Sequence, residues 1–175
     1  MPNSFAMNGE SPRIPHLAKP GSELYDLRDD VDDAFERAEV ATVKVSMTAA
    51  EVKALAATPK ELVAAPGADL ILELIGLTLR LVAGSEVLAE AGDNLTVKYK
   101  DGSGVAATGA IEMTGFIDQA ANINITALPI VALTTDAQGV NQALVLHNIG
   151  SEFTGNASDD AVLEAYVSYK RHNLA

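Results

Sequence analysis

Three histidines are the side chains best suited to proton transfer or metal binding near neutral pH, and they stand far apart: His16, His147 and His172. None has a second ligand type at the short spacings that zinc sites use. His147, at the end of a strand-like run, is the best of the three, and a catalytic role for it would need convergent partners. Asp29-Asp30-Val31-Asp32-Asp33 invites a calcium reading. A hand-type loop, however, needs alternating oxygens around a glycine turn and a late bidentate glutamate, and that spacing is absent. Consecutive acids in a helical pattern read instead as a solvated face. The chain has no cysteine, which removes disulfides, thiolate ligands and cysteine nucleophiles together. No P-loop, dinucleotide fingerprint or nucleophile elbow occurs, and Gly102, Gly104 and Gly109 lack the strand-then-helix context of a phosphate cradle. The sequence therefore predicts no catalytic residue, no metal and no cofactor.

The elements that carry these residues are bounded by composition. The 175 residues suit one domain with an extra arm, and 24 acids against 12 bases give a net charge of −12. A surface this negative repels phosphate, so direct nucleic-acid binding is not expected. Met1-Pro2-Asn3-Ser4-Phe5 lacks a basic, then apolar, leader pattern, and no run approaches the ~20 apolar residues of a membrane span, so a soluble, unprocessed protein is expected. Hydrophobic residues make up 48% but aromatics only 5%, so the core must be aliphatic, which suits pleated sheet.

Residues 1–21 contain Pro2, Pro12, Pro15 and Pro20 with Gly9 and Gly21, a density that opposes both helix and sheet ladder. An extended arm is expected. It carries Phe5, Met7, Ile14 and Leu17, which such a segment cannot bury alone, together with Arg13, His16 and Lys19, a basic excess over its single acid Glu10. Over residues 22–40, Ser22 is an N-cap and Leu24, Leu27, Val31, Phe35 and Ala38 follow at helical spacing. This short helix holds eight acids against two arginines, a net of −6 that is half the chain's −12. Its narrow stripe fits a helix that self-associates, and equally an ordinary amphipathic helix packed on its own domain.

Residues 41–175 alternate strands and turns. Val43-Lys44-Val45-Ser46-Met47 alternates as a first strand, and Thr48-Ala49-Ala50-Glu51 has capping-box spacing, with Val52 and Leu55 on one helix face. Pro59 turns Thr58 away from the helical region, and Pro66-Gly67 is turn chemistry ahead of the longest strand, Leu70 to Val82. In that strand Glu73 marks odd positions as outward while Thr78 and Arg80 mark even ones, so a bulge is predicted at Ile75-Gly76-Leu77. A short stretch lies around Val87 and Leu88, and Leu95 to Lys100 is a one-sided strand closed by the hairpin dipeptide Asp101-Gly102. Val105 to Ile117 reads as strand, Asp118 to Ala121 as one helical turn, and Ile123 to Thr126 as a strand bent at Pro129 whose apolar face continues from Leu128 to Leu133. Val140 to Ile149 is the next strand, Gly150 to Asp160 a polar loop, and Ala161 to Arg171 the last strand, with Leu163, Ala165, Val167 and Tyr169 on one face. Roughly eight strands and few helices argue for a mainly β sandwich or jelly roll.

Several of these segments also carry a resemblance. The run from Val43 to Ile71, with Lys44, Thr48-Ala49-Ala50-Glu51, Thr58-Pro59-Lys60-Glu61-Leu62-Val63 and Pro66-Gly67, resembles one in the small jelly-roll proteins that decorate the heads of tailed bacteriophages. These are called cement, decoration or head-fibre proteins. The likeness continues through Asn94-Leu95-Thr96-Val97-Lys98-Tyr99 with Asp101-Gly102 and ends at Ala165-Tyr166-Val167-Ser168-Tyr169-Lys170-Arg171. Its motifs are structural, and no catalytic residue travels with it.

The resemblance implies a jelly-roll-like β-sandwich located on the virion, at the outer capsid surface, with the major capsid protein as partner. The expected function is head stabilisation by a homotrimer, in which small subunits bridge capsomers and oppose expansion by packed DNA. Phe5, Met7, Arg13, Ile14, His16 and Leu17 are the expected capsid contacts, and Leu24, Leu27, Val31, Phe35 and Ala38 the expected trimer seam. The alternatives are a receptor- or carbohydrate-binding fibre head, for which loop aromatics are few, and a jelly-roll enzyme with a metal held by inward histidines and carboxylates.

Overall fold

The computed structural model describes residues 40–90, 92–130 and 133–175. The arm expected over 1–21 lies outside the described residues, as does all but Val40 of the helix expected over 22–40.

Val43, Val45 and Met47 alternate with Lys44 and Ser46 to form β1 (Ala41–Thr48), whose alternate side chains turn to the interior. Thr48 ends the strand and opens α1 (Ala49–Lys53). Its hydroxyl accepts from the Glu51 amide at 3.3 Å, and the Glu51 carboxylate accepts from the Thr48 amide at 2.9 Å, the reciprocal cap that the spacing predicts. Val52 and Leu55 are fully buried beneath it. Between Pro59 and Pro66-Gly67 lies a further strand that was not read from sequence, β2 (Lys60–Val63). The reversal then falls at Gly67, whose φ of 111° needs a residue without a Cβ.

β3 (Leu70–Val82) and β10 (Val162–Asn173) form the longest ladder, from Val82 opposite Val162 to Leu70 opposite Asn173. Gly76 faces Ser168 and Leu74 faces Tyr169, so Ile75 is the extra residue of a bulge. Because of it, Leu72 and Leu74 before the bulge are buried along with Leu77, Leu79 and Leu81 after it, while Glu73 is exposed and Thr78 partly so. The parity change in the sequence thus corresponds to a real irregularity.

The remaining elements are β4 (Leu88–Ala89), β5 (Asn94–Tyr99), β6 (Ile111–Glu112), β7 (Ile123–Ala127), α2 (Asp136–Gly139), β8 (Leu144–Asn148) and β9 (Thr154–Gly155). One sheet has the order β1-β10-β3-β7 and a second β2-β8-β5-β6, while β4 and β9 pair separately. All pairings are antiparallel. Met47, Leu79, Leu163 and Val167 from the first sheet join Leu62, Val97, Leu144 and Leu146 from the second in one hydrophobic cluster. The chain is therefore mainly β, with antiparallel sheets as in a β-sandwich. Among the described residues no helix is long and apolar enough to cross a membrane.

Several local expectations are corrected. Asp101-Gly102 is not a two-residue hairpin turn. The positive φ of 71° falls on Lys100, the Tyr99 amide bonds the Val105 carbonyl, and Asp101 instead accepts from the Ser103 amide in a wider loop. Of Val105 to Ile117 only Ile111–Glu112 is strand, and the turn expected at 118–121 forms earlier, where the Phe116 and Ile117 amides both reach the Met113 carbonyl. Val140 to Ile149 shortens to β8 because α2 forms just before it, with Gln138 Oε1 accepting from the Thr134 and Thr135 amides at 2.9 and 3.2 Å, and Val140 bridges Ile71 instead.

Candidate functional site

The histidines were the sequence's best chemical candidates, and the described ones do not build a reaction centre. His147, on β8, lies under the Asp101–Gly104 turn: a Cβ on Gly102 would stand 2.9 Å from its Nε2, so the glycine makes room for the ring. Its Nδ1 is buried and makes no hydrogen bond. Burial, reinforced by the nearby Lys98 charge, pushes its pKa below the ordinary histidine value. The nearby Glu152 carboxylate is already taken up by the amides of Ala56 and Ala57, at 3.0 and 2.8 Å.

His172 sits 2.7 Å from Glu73, both about half exposed, beside a depression of about 310 Å³ lined mainly by Leu72, Leu74, Tyr99, Ala107, Pro129 and Leu133. Tyr99 donates its hydroxyl to the Leu72 carbonyl at 2.8 Å, and burial, then the Glu73 charge, raises its pKa, so the phenol is committed to structure. That volume is at the small end of ligand pockets, and its walls are apolar. Among the described residues no group of three or more histidines and carboxylates could hold a metal.

Two surface features are more distinctive. The first is an ion cluster on the β1-β10-β3 face. Glu164, only 8% exposed, accepts from Lys44 at 2.6 Å, Arg80 Nη1 at 3.0 Å and the Tyr166 hydroxyl at 3.0 Å. Strand register assembles it, since Arg80 is directly opposite Glu164 and Lys44 opposite Tyr166. Lys44 Nζ also lies 5.6 Å from the Tyr166 ring centre. The hydrogen bonds from Lys44 and then Arg80 hold the Glu164 carboxyl at about 2.

A carboxyl whose folded pKa is depressed stabilises the fold above its unfolded value and loses that contribution as pH falls through the folded one. Thermal melts of Glu164→Gln beside the parent should therefore show the parent's full advantage above pH 4.5, shrinking between 4.5 and about 2. A gap independent of pH over that window would mean that Glu164 is not held ionised by its neighbours.

The second feature is the free side of β7. Among the described residues β7 pairs only with β3 and β6 only with β5, so a groove between them is bordered by two strand edges. After Ala127 the chain leaves the first sheet: Pro129 bridges Thr108, and the Ile130 amide reaches the Ala107 carbonyl at 3.4 Å. This crossing leaves Leu128 70% and Ile130 74% exposed, the two most exposed large apolar residues among those described. The apolar face expected to continue from Leu128 to Leu133 is interrupted here, because the crossing turns the Leu128 and Ile130 side chains outward. Ile130 lies directly on Gly109, where an added Cβ would come within 2.7 Å of Ile130 Cδ1. Pro129 was the sequence signal for the crossing.

The expected capsid contacts Phe5, Met7, Arg13, Ile14, His16 and Leu17, and the expected seam residues Leu24, Leu27, Val31, Phe35 and Ala38, lie outside the described residues. What the described residues offer instead is an edge strand with two exposed aliphatic side chains, which was not singled out from sequence. No family model matches the chain, and no curated protein matches it.

Proposed function

We propose that this chain is a structural virion protein, a decoration (cement) protein that binds the outside of a tailed-phage head as a homotrimer and stabilises it. The observation that carries the reading is strand order. Counting β1, β2, β3, β5, β6, β7, β8 and β10 as first to eighth, one sheet runs first, eighth, third, sixth and the other second, seventh, fourth, fifth. That order supports a jelly roll, the eight-stranded architecture of viral capsid and lectin domains.

Two observations favour the capsid role over a glycan-binding fibre head. The loop aromatics Phe116 and Phe153 are buried and cannot stack on a sugar, and the most exposed aliphatics are at a sandwich edge. The resemblance over Val43 to Arg171 supplies the partner, the major capsid protein. In this reading residues 1–21 reach the capsid through Phe5, Met7, Arg13, Ile14, His16 and Leu17, the helix over 22–40 contributes to the trimer, and neither nucleic acid nor membrane is contacted.

Co-sedimentation with undecorated heads tests this directly. The full chain should saturate the heads and raise the temperature at which they rupture. A chain lacking residues 1–21 should remain folded and fail to sediment. Failure of the full chain to bind would reject the assignment, and binding undiminished by the truncation would reject the role of the arm.

A further inference from the structure

We propose that the open face of the first sheet, centred on Lys44, Arg80, Glu164 and Tyr166, docks on an acidic protein surface. In the proposed function, on which the inference rests, that surface belongs to the head, and the sheet supplies a contact besides residues 1–21.

Charge is divided unevenly over the sandwich. Alternation turns Lys44 of β1 and Asn124 and Thr126 of β7 outward, with Glu164 and Arg80 between them in register. Lys170 and His172 continue the same side of β10, opposite Glu73 and Ile71. Leaving histidine aside, this face carries Lys44, Arg80 and Lys170 against Glu73 and Glu164, a net of +1. The other described residues hold five cations against thirteen acids, a net of −8. Both acids of the face are engaged, Glu164 by Lys44, Arg80 and Tyr166, and Glu73 by His172. An acidic partner is thus repelled by the rest of the described surface and accepted on this side.

The centre of the face is built to receive carboxylates. Glu164 fixes Lys44 and Arg80 in place, so little side-chain freedom is lost on binding. Arg80 reaches Glu164 through Nη1 and keeps further donors of its fork for a second carboxylate. Arginine and tyrosine at the middle, with the small polar side chains of Thr42, Ser46, Thr126 and Ser168 around them, give the arrangement of an interface hot spot and its rim. Two cations sharing one glutamate are too few to hold a run of phosphates, which separates this face from a nucleic-acid site.

A ten-residue polyglutamate peptide is the probe. At low ionic strength it should shift backbone amide resonances of the full-length protein in β1, β3, β7 and β10 and not in the rest of the sandwich. The double variant Asn124→Glu, Thr126→Glu places one acid opposite Arg80 and another opposite Thr78, both at exposed positions. It should melt with the parent and bind the peptide about 10-fold or more weakly, the effect of like charges juxtaposed across an interface. Ala64→Glu, Ser158→Glu adds the same charge at exposed positions elsewhere and should bind as the parent does.

Absence of shifts on this face, equal weakening by both double variants, or a DNA duplex that binds here while the peptide does not overturns the inference. If the Asn124, Thr126 variant loses the peptide yet sediments with heads as the parent does, the face is not the head contact; the inference fails and the decoration reading stands. If the parent binds the peptide on this face and binds no heads, docking on an acidic surface stands and the decoration reading falls.

Discussion

Phe153→Ala is expected to lower folding stability by about 3–5 kcal/mol, the cost of deleting a fully buried aromatic side chain. Phe153 is 2% exposed and is the largest of the most fully buried side chains described, although it sits in the connection between β8 and β9. Its neighbours fix that connection. The Ser151 amide donates to Asp93, Asn148 Nδ2 donates to the Ser151 carbonyl, and Glu152 receives the amides of Ala56 and Ala57. A loop pinned on this side cannot sink into the void left by the ring, so the loss should fall toward the upper end of the range. Urea unfolding should show the midpoint falling with the slope unchanged, and the melting temperature dropping on the order of 10 °C. A loss under about 1 kcal/mol would mean that the segment collapses over the vacated space.

The second large effect is expected at Asn156, where alanine should cost about 2–4 kcal/mol through stranded buried polar groups. Asn156 is 1% exposed. Its Nδ2 donates to the Glu86 carbonyl at 2.6 Å and to Asp160 Oδ1 at 2.8 Å, and its Oδ1 accepts from the Ala161 amide at 3.2 Å. The residue also has φ of 42°, a left-handed conformation that asparagine tolerates better than alanine. The two causes separate experimentally. Asn156→Gly relieves the backbone but restores no hydrogen bond, so it should recover up to ~1 kcal/mol of the alanine loss. Full recovery in the glycine variant would show that the amide bonds contribute nothing. Asn156→Asp should fare no better than alanine, because a carboxylate cannot donate to the Glu86 carbonyl and would face Asp160.

The same residues show where the sequence was readable. β1 buries one face, so alternation alone locates it, whereas the one-sided strand expected from Leu95 is corrected, because Thr96 is buried as well and bonds Thr108; the turn into α1 follows from Thr48 and Glu51, which are three residues apart. The β3 bulge was visible because Glu73 and Thr78 disagree in parity around a glycine. Phe153 was hidden in a polar stretch, since its burial depends on a neighbouring loop rather than on local pattern. The Glu164 cluster was hidden as well, because its cations come from β1 and β3 and meet it only through register. Leu128 and Ile130 read as the continuation of an apolar face because an apolar run looks alike buried or bare. Only the crossing at Pro129 separates the two cases, and a sequence shows a bend there without its direction.

The pairing of β1 with β10 has a consequence for how the molecule is made. Thr42 and Ser168 share a hydrogen bond across 126 positions of chain, and β10 lies between β1 and β3. A ribosome must therefore deliver nearly the whole domain before the central ladder can close, and until then the inner faces of β1 and β3 are uncovered. Ladders of such high contact order assemble on the millisecond-to-second scale. Final closure accordingly waits for β10, and in that interval the uncovered leucines of β1 and β3 are free to meet those of neighbouring chains.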